Sequence, residues 1–257
     1  MSSIALVAHQ FRYDQKAFWR NPAAVFFTVL FPVVLLLIFA TIFGDETLDV
    51  SGGIETTTYY VPAIITLSVI SSTMQSLAMS LVIAREDGRL KRGRGTPMPA
   101  WVFIAGRVGN SVVTAVLMLA LLAVLGRLLY SVPIPWEHLP ELLLTLLVGA
   151  ASFSCLGIAL TAAIPSQDAA APIVNALLLP LYFLSGIFIP DTELPSGVID
   201  FANHFPVRPF FEAFFAAYVP SGSGPQIEWG NLAVVGAWGL AGLLLAIRFF
   251  RWSPRGG

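Results

Sequence analysis

The densest run of reactive side chains in this 257-residue chain is Arg85-Glu86-Asp87-Gly88-Arg89-Leu90-Lys91-Arg92-Gly93-Arg94-Gly95-Thr96-Pro97-Met98-Pro99. Gly88 and Gly93 have the separation of a phosphate-binding loop, but Arg94-Gly95 stand where Lys and Ser/Thr are required. No strand signal precedes them, so the run is not a nucleotide site. Two uses remain open for so many cations: docking onto another protein, or setting the orientation of neighbouring membrane segments. Elsewhere the chemistry is sparse. His9, His138 and His204 are far apart and show no metal-ligand spacing, and no G-x-S-x-G elbow occurs. Cys155, the single cysteine, lies in an apolar stretch and reads as a packing residue. The expectation is a chain with no catalytic residue, no metal and no cofactor of its own.

A second group of polar side chains is embedded in apolar sequence. Ser68, Ser71, Ser72, Thr73, Gln75, Ser76 and Ser80 share one stretch, and Asn175, Tyr182 and Ser185 share another. Such residues either let membrane helices pack closely or form a polar stripe along a transport path. On the second reading the candidates are Ser72, Gln75, Asn175, Tyr182 and Ser185. Glu212, set among phenylalanines, joins them as an acid that faces a cavity or snorkels to water.

The elements that must position these residues follow from composition. Hydrophobic residues make up 56% of the chain and charged ones 11%, with a mean hydropathy of +0.79. Soluble domains carry about 25% charged residues, so a polytopic membrane protein is expected. The net charge of −1 argues against nucleic acid as a partner. Stretches free of Asp, Glu, Lys and Arg run over 21–44, 56–84, 108–126, 142–167, 169–190 and 229–247. Each approaches or exceeds the roughly 20 helical residues that cross a hydrocarbon core about 30 Å thick. An all-α protein with six transmembrane helices is predicted, with spans near 23–44, 58–84, 103–126, 142–164, 169–189 and 229–248. If the N-terminus is cytoplasmic, 12 of the 14 basic residues fall inside and only Arg127 and Arg208 outside. That satisfies the positive-inside rule and puts both termini in the cytoplasm.

Two further segments are predicted. Over residues 1–22, Ile4, Val7, Phe11 and Phe18 recur at helical spacing before Asn21-Pro22. This pattern reads as an amphipathic helix lying in the interface, the alternative being a frayed basic tail; neither is a signal peptide. The external stretch 190–228 is too apolar for a loop, and Pro190, Pro195, Pro206, Pro209 and Pro220 cut it into pieces too short to span. Re-entrant half-helices are expected there, buried in protein or lining a wet cavity.

Together these features make the chain resemble the membrane permease family of type-2 ATP-binding-cassette transporters, which includes bacterial drug and polysaccharide exporters. The likeness spans about the whole length. It rests on the interfacial helix with Asn21-Pro22, the segment Leu184-Ser185-Gly186-Ile187-Phe188-Ile189-Pro190, and the charged loop. That loop is similar to the family's E-x-G-x-L-K-x-hydrophobic-x-x-T-P at Glu86, Gly88, Leu90, Lys91, Thr96 and Pro97, although Gly93 replaces the bulky apolar residue. The resemblance implies one domain over 1–257, whose cytoplasmic coupling loop at 85–100 docks onto a separate ATPase subunit through Glu86, Gly88, Arg89, Leu90, Lys91, Arg92, Thr96 and Pro97. ATP and Mg would bind that subunit. It also implies a second permease copy or paralogue, a location in the bacterial plasma membrane among lipids, and export of drugs or lipid-like molecules. Two alternatives stand beside it: a lipid-linked glycan exporter, and a membrane-embedded lipid or prenyl transferase. The transferase needs an Asp-rich cytoplasmic motif, and Asp14, Glu86, Asp87 and Asp168 are the only inner-side acids.

Overall fold

The computed structural model describes residues 3–43, 47–48, 54–94, 100–220 and 225–252. Among them the chain is all-α apart from one ladder of two-residue strands, Thr47–Leu48 and Ile54–Glu55, paired antiparallel. The elements are α1 (Ser3–Trp19), α2 (22–43), α3 (Thr56–Glu86), α4 (Arg89–Arg94), α5 (Ala100–Tyr130), α6 (Leu139–Leu160), α7 (Gln167–Leu184), α8 (Ser196–Ala202), α9 (Val207–Tyr218) and α10 (Trp229–Phe249).

Among the described residues five helices are long and apolar enough to cross a membrane: α3, α5, α6, α7 and α10. In α2 the shorter apolar run Phe26–Ile42 accompanies them. The chain is thus an all-α polytopic membrane protein. Its boundaries differ in detail from the charge-free stretches. Helix α5 has 31 residues and takes in Arg107 near one end and Arg127 near the other. At about 1.5 Å per residue it is roughly 46 Å long, so its two cations sit toward the ends of a helix longer than the hydrocarbon core.

Helix α3 is the central post. From Thr56 to Ile70 all but one of its residues are buried, so the segment is enclosed around its whole circumference and shows no amphipathic stripe. It is surrounded by α2, α5, α6 and α9. On the other side α6 and α10 lie against each other along small residues. A methyl group added at Gly242 would sit 2.9 Å from the Leu156 nitrogen, and one at Gly239 would strike Ser152. Small residues are what permit such close backbone approach between helices in lipid.

The apolar 190–228 stretch forms two short helices, α8 and α9. Helix α9 is buried in protein: Phe210 and Phe214 are inaccessible, and the helix packs on α3, α6 and α10. Pro206 immediately precedes it and Pro209 lies in its first turn, where a missing N–H costs nothing. Helix α1 runs along α5, with Gln10 pressed onto Gly106, and ends just before Asn21-Pro22.

Candidate functional site

The charged loop folds as a turn and a short helix. Gly88 adopts a φ of +67°, and its N–H donates to the Arg85 carbonyl at 3.0 Å, so α3 ends and α4 begins within two residues. That left-handed conformation costs a side-chain-bearing residue roughly 1–2 kcal/mol. Helix α4 has one inward residue among those with described side chains, Leu90, which is 1% exposed in a small cluster with Leu77, Leu81, Phe103, Ile158 and Ala246. Arg89, Lys91 and Arg92 are exposed. Arg89 Nη2 stands 2.7 Å from Asp87 Oδ2, both half exposed, and Arg92 donates to the Asp87 carbonyl at 3.2 Å. The Glu86 carboxylate takes the Arg85 Nε at 2.9 Å. Helix α4 therefore presents cations outward while one leucine anchors it. Gly93 lies within it, so the helix continues through the position where the resemblance expects a bulkier residue. Thr96 and Pro97 lie outside the described residues.

Arg85 was not singled out by the sequence, and it is 2% exposed. Its guanidinium donates to the carbonyls of Thr161 at 2.9 Å, Ile164 at 2.8 Å and Pro165 at 3.4 Å. These carbonyls form the turn between α6 and α7, where the last groups of α6 lack helical partners. The residue just ahead of α4 thereby ties it to a distant pair of helices. Nothing in the run of charges separates Arg85 from its neighbours, because the turn it caps is about 80 residues further along the chain.

The candidate path residues occupy three places. Gln75 donates to Asn175 Oδ1 at 3.0 Å across an exposed junction of α3 and α7. Further along the same pair of helices, Ser71 Oγ and Tyr182 Oη are 3.4 Å apart, and Ser185 donates to the Tyr182 carbonyl at 2.9 Å. Just beyond lies the Leu184–Pro190 segment. There Gly186 has a φ of +87°, and Tyr59 and Tyr60 of α3 donate to the Gly186 and Phe188 carbonyls. Ser72 instead lines a cavity of about 240 Å³ on the opposite side of α3, walled by α1, α2 and α5. Glu212 lies elsewhere again, its carboxylate 2.6 Å from Arg208 Nη2 and accepting from Asn231 at 3.2 Å. Arg208 is buried and reaches one turn along α9, an i,i+4 pairing that the sequence spacing carried but that was not read from it.

The cavity gathers Asp14, Asn21, Ser80, Arg89, Arg107 and Asn110 at the end of the bundle nearest α4. Burial pushes the Asp14 carboxyl above its usual range, opposed by Arg107, the Gln10 hydrogen bond and Arg89 in that order. Two π-helical turns meet its wall, Phe26–Leu30 in α2 and Ser71–Gln75 in α3. One turn of this kind widens a helix by a residue, and such turns are frequent at functional sites. They bring Thr28 Oγ1 to 3.1 Å from Ser76 Oγ. Among the described residues no cluster of His, Cys, Asp and Glu could hold a metal ion.

Comparison with known proteins agrees with this architecture. The residue pattern of the family described as "ABC-2 type transporter" matches residues 5–219. "Inner membrane transport permease YadH" of Escherichia coli strain K12 is 27% identical over 171 residues, which are 65% of this chain and 66% of that protein. This chain thus spans about two thirds of that relative's length. "Putative transport permease YvfS" of Bacillus subtilis strain 168 is 22% identical over 234 residues, covering 91% of this chain and 92% of the relative. A match over most of the sequence, on a bundle of apolar helices with a short charged helix between two of the longest, places the chain in the ABC-2 type transporter family.

Proposed function

We propose that the chain is the permease subunit of an ATP-binding-cassette exporter and that α4 is its contact with a separate ATPase subunit. The observation that carries this reading is the polarity of α4: Leu90 is buried in the bundle while Arg89, Lys91 and Arg92 are exposed. A helix so mounted transmits a push or a rotation from its outer face into α3 and, through Arg85, into the α6–α7 turn. ATP and Mg would bind the partner and not this chain. Helix α2 would complete a set of six spans with both termini in the cytoplasm of a bacterial cell. A second permease would pair with this one, and drugs or lipid-like molecules would leave along a path that includes Gln75 and Asn175. The large exposed apolar surface of α2, α5 and α10 suits lipid contact and such pairing.

The test is co-expression with the ATPase encoded beside this chain, followed by co-purification and drug-stimulated ATP hydrolysis. Reversing Arg89, Lys91 and Arg92 together to Glu should abolish assembly with the ATPase while leaving the chain inserted. Topology must be mapped in the same variant, because these charges also orient the neighbouring spans. Unimpaired assembly and transport by a correctly inserted triple variant would overturn the docking role.

A further inference from the structure

We propose that the cavity between α1, α2, α3 and α5 binds the phosphate of an anionic phospholipid from the membrane leaflet on the α4 side. Two guanidiniums, Arg89 and Arg107, and one carboxylate, Asp14, line it; Arg89 is half exposed and paired with Asp87 at 2.7 Å, which leaves Arg107 as the enclosed cation. The partners of these groups are already chosen. Asp14 accepts from Gln10 at 3.1 Å. Arg107 Nη1 donates to Ser80 Oγ at 3.0 Å, and that hydroxyl in turn donates to the Leu77 carbonyl at 3.0 Å. Ser80 is neutral, so it fixes the guanidinium without compensating its charge. The Phe103 ring, 4.9 Å from Arg107 Cζ, holds the other side. Among the described residues the buried Arg107 Nε has no acceptor. An unsatisfied buried donor is costly, and a planar guanidinium edge suits two phosphate oxygens better than any other common anion.

Space and surroundings favour a lipid as the source. A volume of about 240 Å³ far exceeds the roughly 10–15 Å³ that a cavity needs to hold one water, so it admits a group larger than one or two hydrating waters. Thr28, on the cavity wall, is followed along α2 by Leu30 and preceded by Phe27, which are 48% and 63% exposed and would accompany acyl chains. Basic pockets between membrane helices at the interface are where lipid headgroups are held. This proposal does not depend on docking of α4, because binding is read without any ATPase.

The experiment uses the full-length chain, delipidated in mild detergent and titrated while lipid adducts are counted by native mass spectrometry. The probes are phosphatidylglycerol, phosphatidylcholine and sn-glycerol 3-phosphate. Phosphatidylglycerol should bind about tenfold more tightly than phosphatidylcholine, the effect of one charge-assisted interaction. Arg107→Gln should weaken it about tenfold, and Asp14→Asn should tighten it severalfold by removing the competing carboxylate. Arg127→Gln, at the far end of α5, should change nothing. Opposite shifts at Arg107 and Asp14 cannot arise from a loosened fold. If Arg107→Gln does not fold, the Asp14→Asn gain still decides the matter. Unchanged binding in both variants, or shifts of the same sign, overturns the proposal. Glycerol phosphate binding with the same Arg107 dependence, while the lipid does not bind, overturns the lipid source in favour of a soluble phosphate ester.

Discussion

Replacing Arg85 with Met keeps most of the side-chain volume and removes the guanidinium that caps the α6–α7 turn. Two of its donated bonds are short, 2.9 Å to Thr161 and 2.8 Å to Ile164, while the third, 3.4 Å to Pro165, is long enough to count for little. Hydrogen bonds from a charged donor contribute about 1.5–3 kcal/mol each, and losing them leaves buried carbonyls without partners. Taking the low end for two bonds gives about 3 kcal/mol, because burying the guanidinium itself has a desolvation cost that offsets part of the gain. For a chain of this size about 1 kcal/mol corresponds to roughly 2–4 °C, so the midpoint of thermal unfolding should fall by about 6–12 °C. The measurement is a detergent-solubilised melt followed by tryptophan fluorescence, with Glu86→Gln as comparison. Glu86 is partly exposed, and a surface pair contributes about 0–1 kcal/mol, so that variant should stay within about 4 °C of the parent. A melt of Arg85→Met within 1 °C of the parent would refute the assignment of Arg85 as the clamp between α3 and the α6–α7 turn.

Two further outcomes follow from packing and from charge. An alanine at Gly149 would drive its methyl into the Phe210 ring, and overpacking of that kind costs about 1–3 kcal/mol; Gly149→Ala should lower the unfolding midpoint, and adding Phe210→Leu should recover part of the loss. Asp14 has a carboxyl raised above 3.8 in the folded chain, mainly by burial. Folding therefore takes up protons, and Asp14 favours the folded state at low pH, with that contribution lost as pH rises through its raised value. Asp14→Asn should flatten the decline in melting midpoint between acid and neutral pH and raise the midpoint at neutral pH. A pH profile identical to the parent's would contradict the burial of that carboxyl.

Some of the site was legible along the chain because its cause is local. Gly88 stands where a turn must bend left-handed, and Leu90 between charges is the one residue of α4 that could be drawn inward. Arg107 and Asp14 were legible only as inner-side charges. Their enclosure depends on α1 lying along α5 at Gly106, a contact between elements about 90 residues apart. The polar residues of α3 illustrate the same limit. Their sequence permits a single stripe, yet the π-helical turn at Ser71–Gln75 shifts the register, leaving Gln75 facing α7 and Ser72 facing the cavity.

Hydropathy and charge placement were sufficient by themselves to establish an all-α membrane chain, the approximate position of each long helix and the short cationic connection, because lipid imposes its requirement on every apolar segment separately. Which polar groups meet was decided by tertiary packing alone. Arg85 finding the α6–α7 turn, buried Arg208 meeting Glu212, and Arg107 sharing a cavity with Asp14 all arise where several helices converge. Helix packing in lipid is set by close side-chain fit among many small residues, and no single stretch of sequence encodes that fit.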